Sequence, residues 1–82
     1  MNGYYVYILE CSDKTLYTGW TSNLEKRIQE HNDGKDGAKY TRTRRPVSLV
    51  YAEICSCMSE ALKREVQIKK LSRGKKLEMI KG

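Results

Sequence analysis

The sequence predicts an α+β domain, a small three-stranded antiparallel sheet flanked by helices in the order ββαβαα. Three observations carry this. Two short runs rich in aromatic and branched residues are joined by turn chemistry near the N-terminus. A single further run of that kind lies mid-chain. The segments between and after them carry helical spacing with cap signals.

Tyr4 to Glu10 (YYVYILE) reads as the first strand and Thr15 to Gly19 (TLYTG) as the second. Cys11-Ser12-Asp13-Lys14 supplies the turn, so the pair is a β-hairpin. Side chains alternate faces along a strand. A three-residue loop, Ser12 to Lys14, sets Leu9 opposite Tyr17 and Tyr7 opposite Gly19, with both tyrosines on one face; a two-residue loop separates them. Ser22-Asn23-Leu24-Glu25 matches a capping box, with Ser22 as N-cap of a helix running to about Asn32 and stopping near Gly34. Leu24 and Ile28 mark its apolar side, and Arg27 and His31, four apart, share one face. Gly34 to Pro46 (GKDGAKYTRTRRP) has no apolar period and reads as a long mobile loop, a length that is usually functional or disordered. Ser48 to Cys55 is the third strand. Ser59 caps a second long helix from about Glu60 to Leu71, and Gly74 to Ile80 is a short third one with Leu77 and Ile80 inward. No repeat, low-complexity segment or linker interrupts the 82 residues, so one domain is expected.

Composition narrows the function classes. The chain carries a net charge of +6, with sixteen Lys and Arg against ten Asp and Glu. Its mean hydropathy is −0.71. No stretch approaches the roughly 20 apolar residues that span a bilayer. The N-terminus MNGYYVYILE lacks a basic region and a small-residue cleavage site, so a cytoplasmic protein without membrane association is expected. Cys11, Cys55 and Cys57 are odd in number and lack zinc-ligand spacing, which points to reduced, mostly buried thiols. The positive charge is clustered: five cations fall between Lys35 and Arg45 and eight between Lys63 and Lys81. Such clustering is the footprint of a polyanionic partner, although a solvated surface gives the same composition.

The second long helix holds an anomaly. At about 100° per residue, Ala61, Leu62, Val66 and Ile68 define its apolar arc and Glu65 falls inside it. A carboxylate aimed at a core is costly unless it is paired or binds a cation. Lys69, one turn on, offers an ion pair. A hard divalent cation is the alternative, since Mg²⁺ takes one or two carboxylates together with waters and phosphate oxygens.

Tyr5-Val6-Tyr7 on the first strand and Tyr17-Thr18-Gly19 on the second resemble the paired tripeptides that name the GIY-YIG nucleases. Arg27 and His31 follow at the spacing that family uses, and Glu65 lies where it places its metal-binding glutamate. The likeness covers nearly the whole chain. It is greatest to the small stand-alone bacterial subgroup, through YTGWT, AKYTR and RRPVSLVY. The resemblance implies a divalent-metal-dependent endonuclease that hydrolyses phosphodiester bonds in DNA, with Mg²⁺ as cofactor and Mn²⁺ as a substitute. It makes Tyr17 the general base or the group that positions the attacking water, with Tyr7 assisting through its hydroxyl. Arg27 then holds the scissile phosphate, His31 hydrogen-bonds the phosphate or a tyrosine hydroxyl, and Glu65 is the single protein carboxylate on the metal.

The chemistry is coherent. A guanidinium forks onto phosphate, and one metal ion acts as Lewis acid and template. Tyrosine, with a pKa of about 10, is a poor base until a nearby cation favours its ionised form. In the loop, Lys39, Arg42, Arg44 and Arg45 suit phosphate contacts, and Tyr40 suits stacking on an unpaired base. Phosphate contacts do not read sequence, so branched, single-stranded or unspecific DNA is the expected substrate. The chain departs from the family at Tyr5, where the tripeptide has glycine, and at Trp20, where some members carry lysine. Without an added DNA-binding domain, affinity is expected to be low, with a protein partner or self-association supplying the rest. Each aromatic also has an ordinary reading as a sheet residue. The competing function is a non-catalytic nucleic-acid or protein-binding module on the same fold.

Overall fold

A computed structural model describes residues 3–34 and 38–82. Three strands, β1 (Tyr4–Glu10), β2 (Leu16–Thr21) and β3 (Ser48–Cys55), form an antiparallel sheet in the order β2-β1-β3. Four helices accompany it: α1 (Leu24–Asp33), α2 (Lys39–Arg42), α3 (Met58–Lys69) and α4 (Arg73–Lys81). The architecture is the α+β arrangement expected, with one added element.

The hairpin takes the three-residue loop. Leu9 pairs with Tyr17 and Tyr7 with Gly19. The Cys11 amide donates to the Thr15 carbonyl at 2.9 Å, and Asp13 accepts from the Thr15 amide and hydroxyl. Lys14 takes the left-handed backbone that such loops require, at φ 71°. β2 runs on to Thr21, two residues beyond the sequence expectation, because Trp20 and Thr21 still pair with Val6 and Tyr5.

Alternation along β1 feeds two cores. Val6 and Ile8 pack with Ala61 and Ile68 of α3. Tyr7 and Leu9 pack with Cys11 and Val47, with Tyr17, Leu24 and Ile28 around them. The central strand is therefore buried on both faces, which explains its nearly continuous apolar run.

Several helix boundaries differ from expectation, each for a local reason. The N-cap of α1 is Asn23, which accepts from the Lys26 amide, and not Ser22 with Glu25. The Thr21 hydroxyl accepts from the Asn23 amide at 3.1 Å, and this turn delivers Asn23 to the cap. Residues 39–42 are the short helix α2 rather than mobile loop; the rest of the predicted loop at 35–37 lies outside the described residues. α3 starts at Met58 behind Cys57, so Ser59 lies within its first turn and bonds the Cys57 Sγ instead of capping. α4 is capped by the Ser72 hydroxyl and starts one residue earlier than expected.

Inward arcs are narrower than the sequence suggested. Leu62 and Val66 lie on the rim of α3, 41 % and 48 % exposed, because contact with the sheet centres on Ala61 and Ile68. The methyl of Ala61 lets α3 approach the β1 side chains closely. On α4, Met79 and Ile80 pack against the core, while Leu77 points away, 40 % exposed. Cys11 is buried, Cys55 half-buried and Cys57 exposed; all three thiols are free. Among the described residues, no helix is long and apolar enough to cross a membrane.

Candidate active site

The site begins with a glycine. Tyr7 on β1 lies directly across from Gly19 on the edge strand β2. A methyl group at Gly19 would lie 2.6 Å from the Tyr7 hydroxyl oxygen and 2.8 Å from Cζ. Only a residue without Cβ lets the Tyr7 ring pass there. Tyr7 is thereby buried to 1 % exposure with its hydroxyl aimed at α1.

His31, in the last turn of α1, receives it. The Tyr7 hydroxyl and His31 Nε2 are 2.8 Å apart. The imidazole also meets the Tyr17 ring edge-on, with centroids 5.2 Å apart. Its other nitrogen, Nδ1, lies 2.8 Å from the Thr41 hydroxyl on α2. His31 has no exposed surface. Burial, reinforced by the Arg27 charge, pushes its pKa down to about 4, so the ring is neutral at pH 7. Arg27, one turn earlier, brings its charge to bear on Tyr7 and pairs with Glu30 at 3.0 Å. Burial works against the Arg27 charge, but these partners outweigh it and hold the group cationic. Arg27 also borders a cleft of about 340 Å³ shared with Thr21, Ser22, Asn23, Lys26 and Glu30.

The Tyr7 hydroxyl is a weak acid in this setting. Burial raises its pKa to about 12, with the Tyr17 and Glu65 charges adding to the rise and Arg27 opposing it. Glu65 on α3 is thus near enough for its charge to bear on Tyr7. Its side chain is 16 % exposed, held beside the buried Ala61 and Ile68. Lys69 approaches it at 3.7 Å and is itself 52 % exposed. That separation is well beyond the 2.7–2.9 Å typical of a strong charge-assisted hydrogen bond. The pair is loose, and the carboxylate keeps coordination capacity. Among the described residues, no three His, Cys, Asp or Glu side chains group to hold a metal. A site here has one carboxylate, a donor set that fits a hard ion retaining most of its waters.

The loop residues divide. Lys39 and Arg42 lie on exposed positions of α2. Tyr40 stacks on Tyr17, centroids 5.7 Å apart, and the Arg44 guanidinium lies 4.0 Å from the Tyr40 ring centre. Arg44 is tied further to Asp13 at 3.0 Å and to the Tyr40 carbonyl. Arg45 donates to the carbonyls of His31, Glu30 and Gly34, closing the C-terminal end of α1. Tyr40, Arg44 and Arg45 are therefore engaged within the protein, and they fasten residues 40–45 against Tyr17, Asp13 and the end of α1. Thr41, Asp13 and Glu30 were not singled out from sequence. Nothing in the residue pattern marks Thr41 and Asp13, because their partners lie far along the chain or depend on a helix not foreseen; Glu30 carries a signal, its i,i+3 spacing from Arg27 on the expected helix.

Similarity to known proteins points the same way. The GIY-YIG catalytic domain profile matches residues 3–78. A UPF0213 protein of Syntrophus aciditrophicus is 68 % identical over 99 % of this chain and 93 % of its own length. One from Staphylococcus haemolyticus is 60 % identical over 98 % of this chain and 96 % of its own. The solution NMR structure of the UPF0213 protein of Bacillus halodurans is 47 % identical, with a TM-score of 0.61 over 99 % of this chain and 84 % of that one. That of a protein from E. faecalis is 41 % identical, with a TM-score of 0.67 over 99 % and 85 %. With the paired tripeptides on a β-hairpin, the glycine under Tyr7 and a match across nearly its full length, the chain belongs to the GIY-YIG family.

Proposed function

We propose that the protein is a divalent-metal-dependent endonuclease that hydrolyses phosphodiester bonds in DNA, selecting by structure or not at all. The observation that supports this reading is the contact of Tyr7 and Tyr17 with His31, one turn after Arg27 on α1, with the Glu65 charge within range of Tyr7. Hydrolysis needs a water held and stripped of a proton, a phosphate held and its charge offset, and a leaving oxygen stabilised. Arg27 supplies the fixed positive charge and a planar fork for the phosphate. Tyr17, half-buried beside His31, positions the attacking water or takes its proton, and Tyr7 assists through the hydroxyl bound to His31. Glu65 would hold Mg²⁺, or Mn²⁺ in its place. When bound, the ion supplies Lewis acidity and a local positive charge that favours ionised tyrosine.

Lys39 and Arg42 on α2, together with the cations of α3 and α4, suit the phosphates of a nucleic-acid strand. Tyr40, Arg44 and Arg45 contribute by shaping that surface as much as by touching it. A cytoplasmic location and a protein partner or self-association are part of the proposal. The exposed side chains of Met58, Leu62 and Val66 on α3 offer a surface for such a contact.

The test is cleavage of branched, single-stranded and duplex DNA with Mg²⁺ or Mn²⁺. Wild type cuts at least one of them, and Glu65→Gln and Tyr17→Phe lose on the order of 10²–10³ in rate. No cutting of any substrate defeats the proposal. The second reading, a binding module without catalysis, takes its support from the Glu65–Lys69 ion pair. It requires DNA affinity that is indifferent to Glu65 and to metal.

A further inference from the structure

Four polar groups, the Ala38 carbonyl, Thr41, His31 and Tyr7, form a head-to-tail chain whose directions follow from its Thr41 end. At that end, Thr41 has a single hydroxyl hydrogen, and it goes to the Ala38 carbonyl at 3.0 Å. The Thr41 oxygen, 2.8 Å from His31 Nδ1, is then an acceptor there, so Nδ1 carries the hydrogen. Nε2 of the neutral ring is therefore bare and can only accept. The Tyr7 hydrogen then goes to His31 Nε2 at 2.8 Å. The Thr41 end alone sets the tautomer, and the Tyr7 hydroxyl follows it. The charged groups that face the ring are Arg27, Arg45 and Glu30, and no carboxylate bonds either nitrogen. A neutral ring offers one donor and one acceptor, as this chain requires, and burial keeps it neutral.

We infer that Thr41 is a positioning residue of the candidate active site: by accepting from His31 Nδ1 it fixes the tautomer that leaves Nε2 to accept the Tyr7 hydroxyl hydrogen. Thr41 has no exposed surface. It belongs to α2, the four-residue helix whose other members face solvent. In catalytic terms, the Tyr7 oxygen lone pairs are turned away from His31, toward Arg27 and the substrate side. The opposite tautomer would reverse the Tyr7 hydroxyl and aim its hydrogen at the reacting water. The catalytic consequence rests on the nuclease reading; the tautomer does not.

His31 is the sole histidine of the chain, so its ring can be read by nitrogen NMR without assignment. In the wild-type protein at pH 7, Nδ1 gives the signal of a protonated nitrogen and Nε2 that of a bare acceptor. In Thr41→Val the Nε2-protonated form appears, and in Thr41→Ser the wild-type pattern returns. With a cleavable DNA, Thr41→Val lowers kcat on the order of 10–100-fold, the range for losing a group that orients a functional histidine. KM stays within about threefold, because Thr41 touches no phosphate, and serine restores the rate. A wild-type ring protonated at Nε2 overturns the inference even if the valine variant does not fold. So does a valine variant that keeps the Nδ1-protonated ring. The predicted spectra with no cleavage by wild type would instead remove the nuclease reading and leave the tautomer assignment standing.

Discussion

Replacing Gly19 with alanine tests the geometry on which the site is built. The added methyl would lie 2.6 Å from the Tyr7 hydroxyl oxygen, 2.8 Å from Cζ and 3.2 Å from Tyr17 Cε2. The end of a side chain can normally give way cheaply. Here it cannot, because Tyr7 is fully buried and its hydroxyl is held by His31. Overpacking of this kind costs about 1–3 kcal/mol. Alanine recovers about 0.5–1 kcal/mol through the lower entropy of the unfolded chain. Mid-range values leave a net loss of about 1.25 kcal/mol, and at about 4–8 °C per kcal/mol for a domain of this size Tm falls by roughly 5–10 °C. Gly74→Ala is the control: the nearest atom to its new methyl is Ser72 Oγ at 3.9 Å, and alanine there raises or preserves Tm. Thermal unfolding followed by circular dichroism reads both. A Gly19→Ala protein as stable as wild type, with the Tyr7–His31 hydrogen bond intact, refutes the claim that Tyr7 depends on that gap.

Three other outcomes follow from the same structure. The depressed His31 pKa means that the unfolded chain, near 6.5, binds a proton the folded one refuses until about pH 4. The stability this confers is complete above about pH 6.5 and is lost as pH falls toward 4, with a slope approaching about 1.4 kcal/mol per pH unit. Urea unfolding at several pH values shows it as a difference between wild type and His31→Gln. Arg45→Ala lowers stability by about 1.5–3 kcal/mol, because three carbonyls at the end of α1 lose a charged donor. The same substitution leaves the salt dependence of DNA binding nearly unchanged, whereas Arg42→Ala lowers the slope of log K against log[salt] by about 0.9 per lost phosphate contact. Lys69→Ala lowers Tm by at most about 4–8 °C, since a pair at 3.7 Å with a half-exposed lysine contributes at most about 1 kcal/mol. It tightens Mg²⁺ binding measured by calorimetry, because the competing cation at Glu65 is gone.

What could be read from the residues, and what could not, divides by the distance over which the physics acts. The hairpin was legible from its turn chemistry, but its register was not: two- and three-residue loops both fitted the residues, and the Cys11–Thr15 pairing that closes the longer one puts Tyr7 and Tyr17 on one side. Glu65 was legible because a carboxylate between Ala61 and Ile68 violates a helical arc whatever the fold. The Asn23 cap was missed because two adjacent cap-formers compete, and the choice is settled by the Thr21 hydroxyl. The width of the α3 arc was overestimated because Leu62 and Val66 have the right residue type and nothing to pack against. Least legible were the loop cations. Arg44 and Arg45 look alike in sequence, yet one meets Asp13 and the other the end of α1, and both pairings depend on the tertiary fold. Thr41 gave no signal at all until α2 brought it to His31.

The claim on which the account depends is that Glu65 binds a divalent ion beside the two hairpin tyrosines. Titration of isotope-labelled protein with Mn²⁺, followed by paramagnetic broadening of its NMR signals, measures this directly. The account predicts broadening centred on Glu65 that reaches Tyr7, Tyr17 and Arg27, and its disappearance in Glu65→Gln. Broadening centred instead on surface acids such as Glu25 and Asp33, or a pattern unaltered in Glu65→Gln, contradicts it.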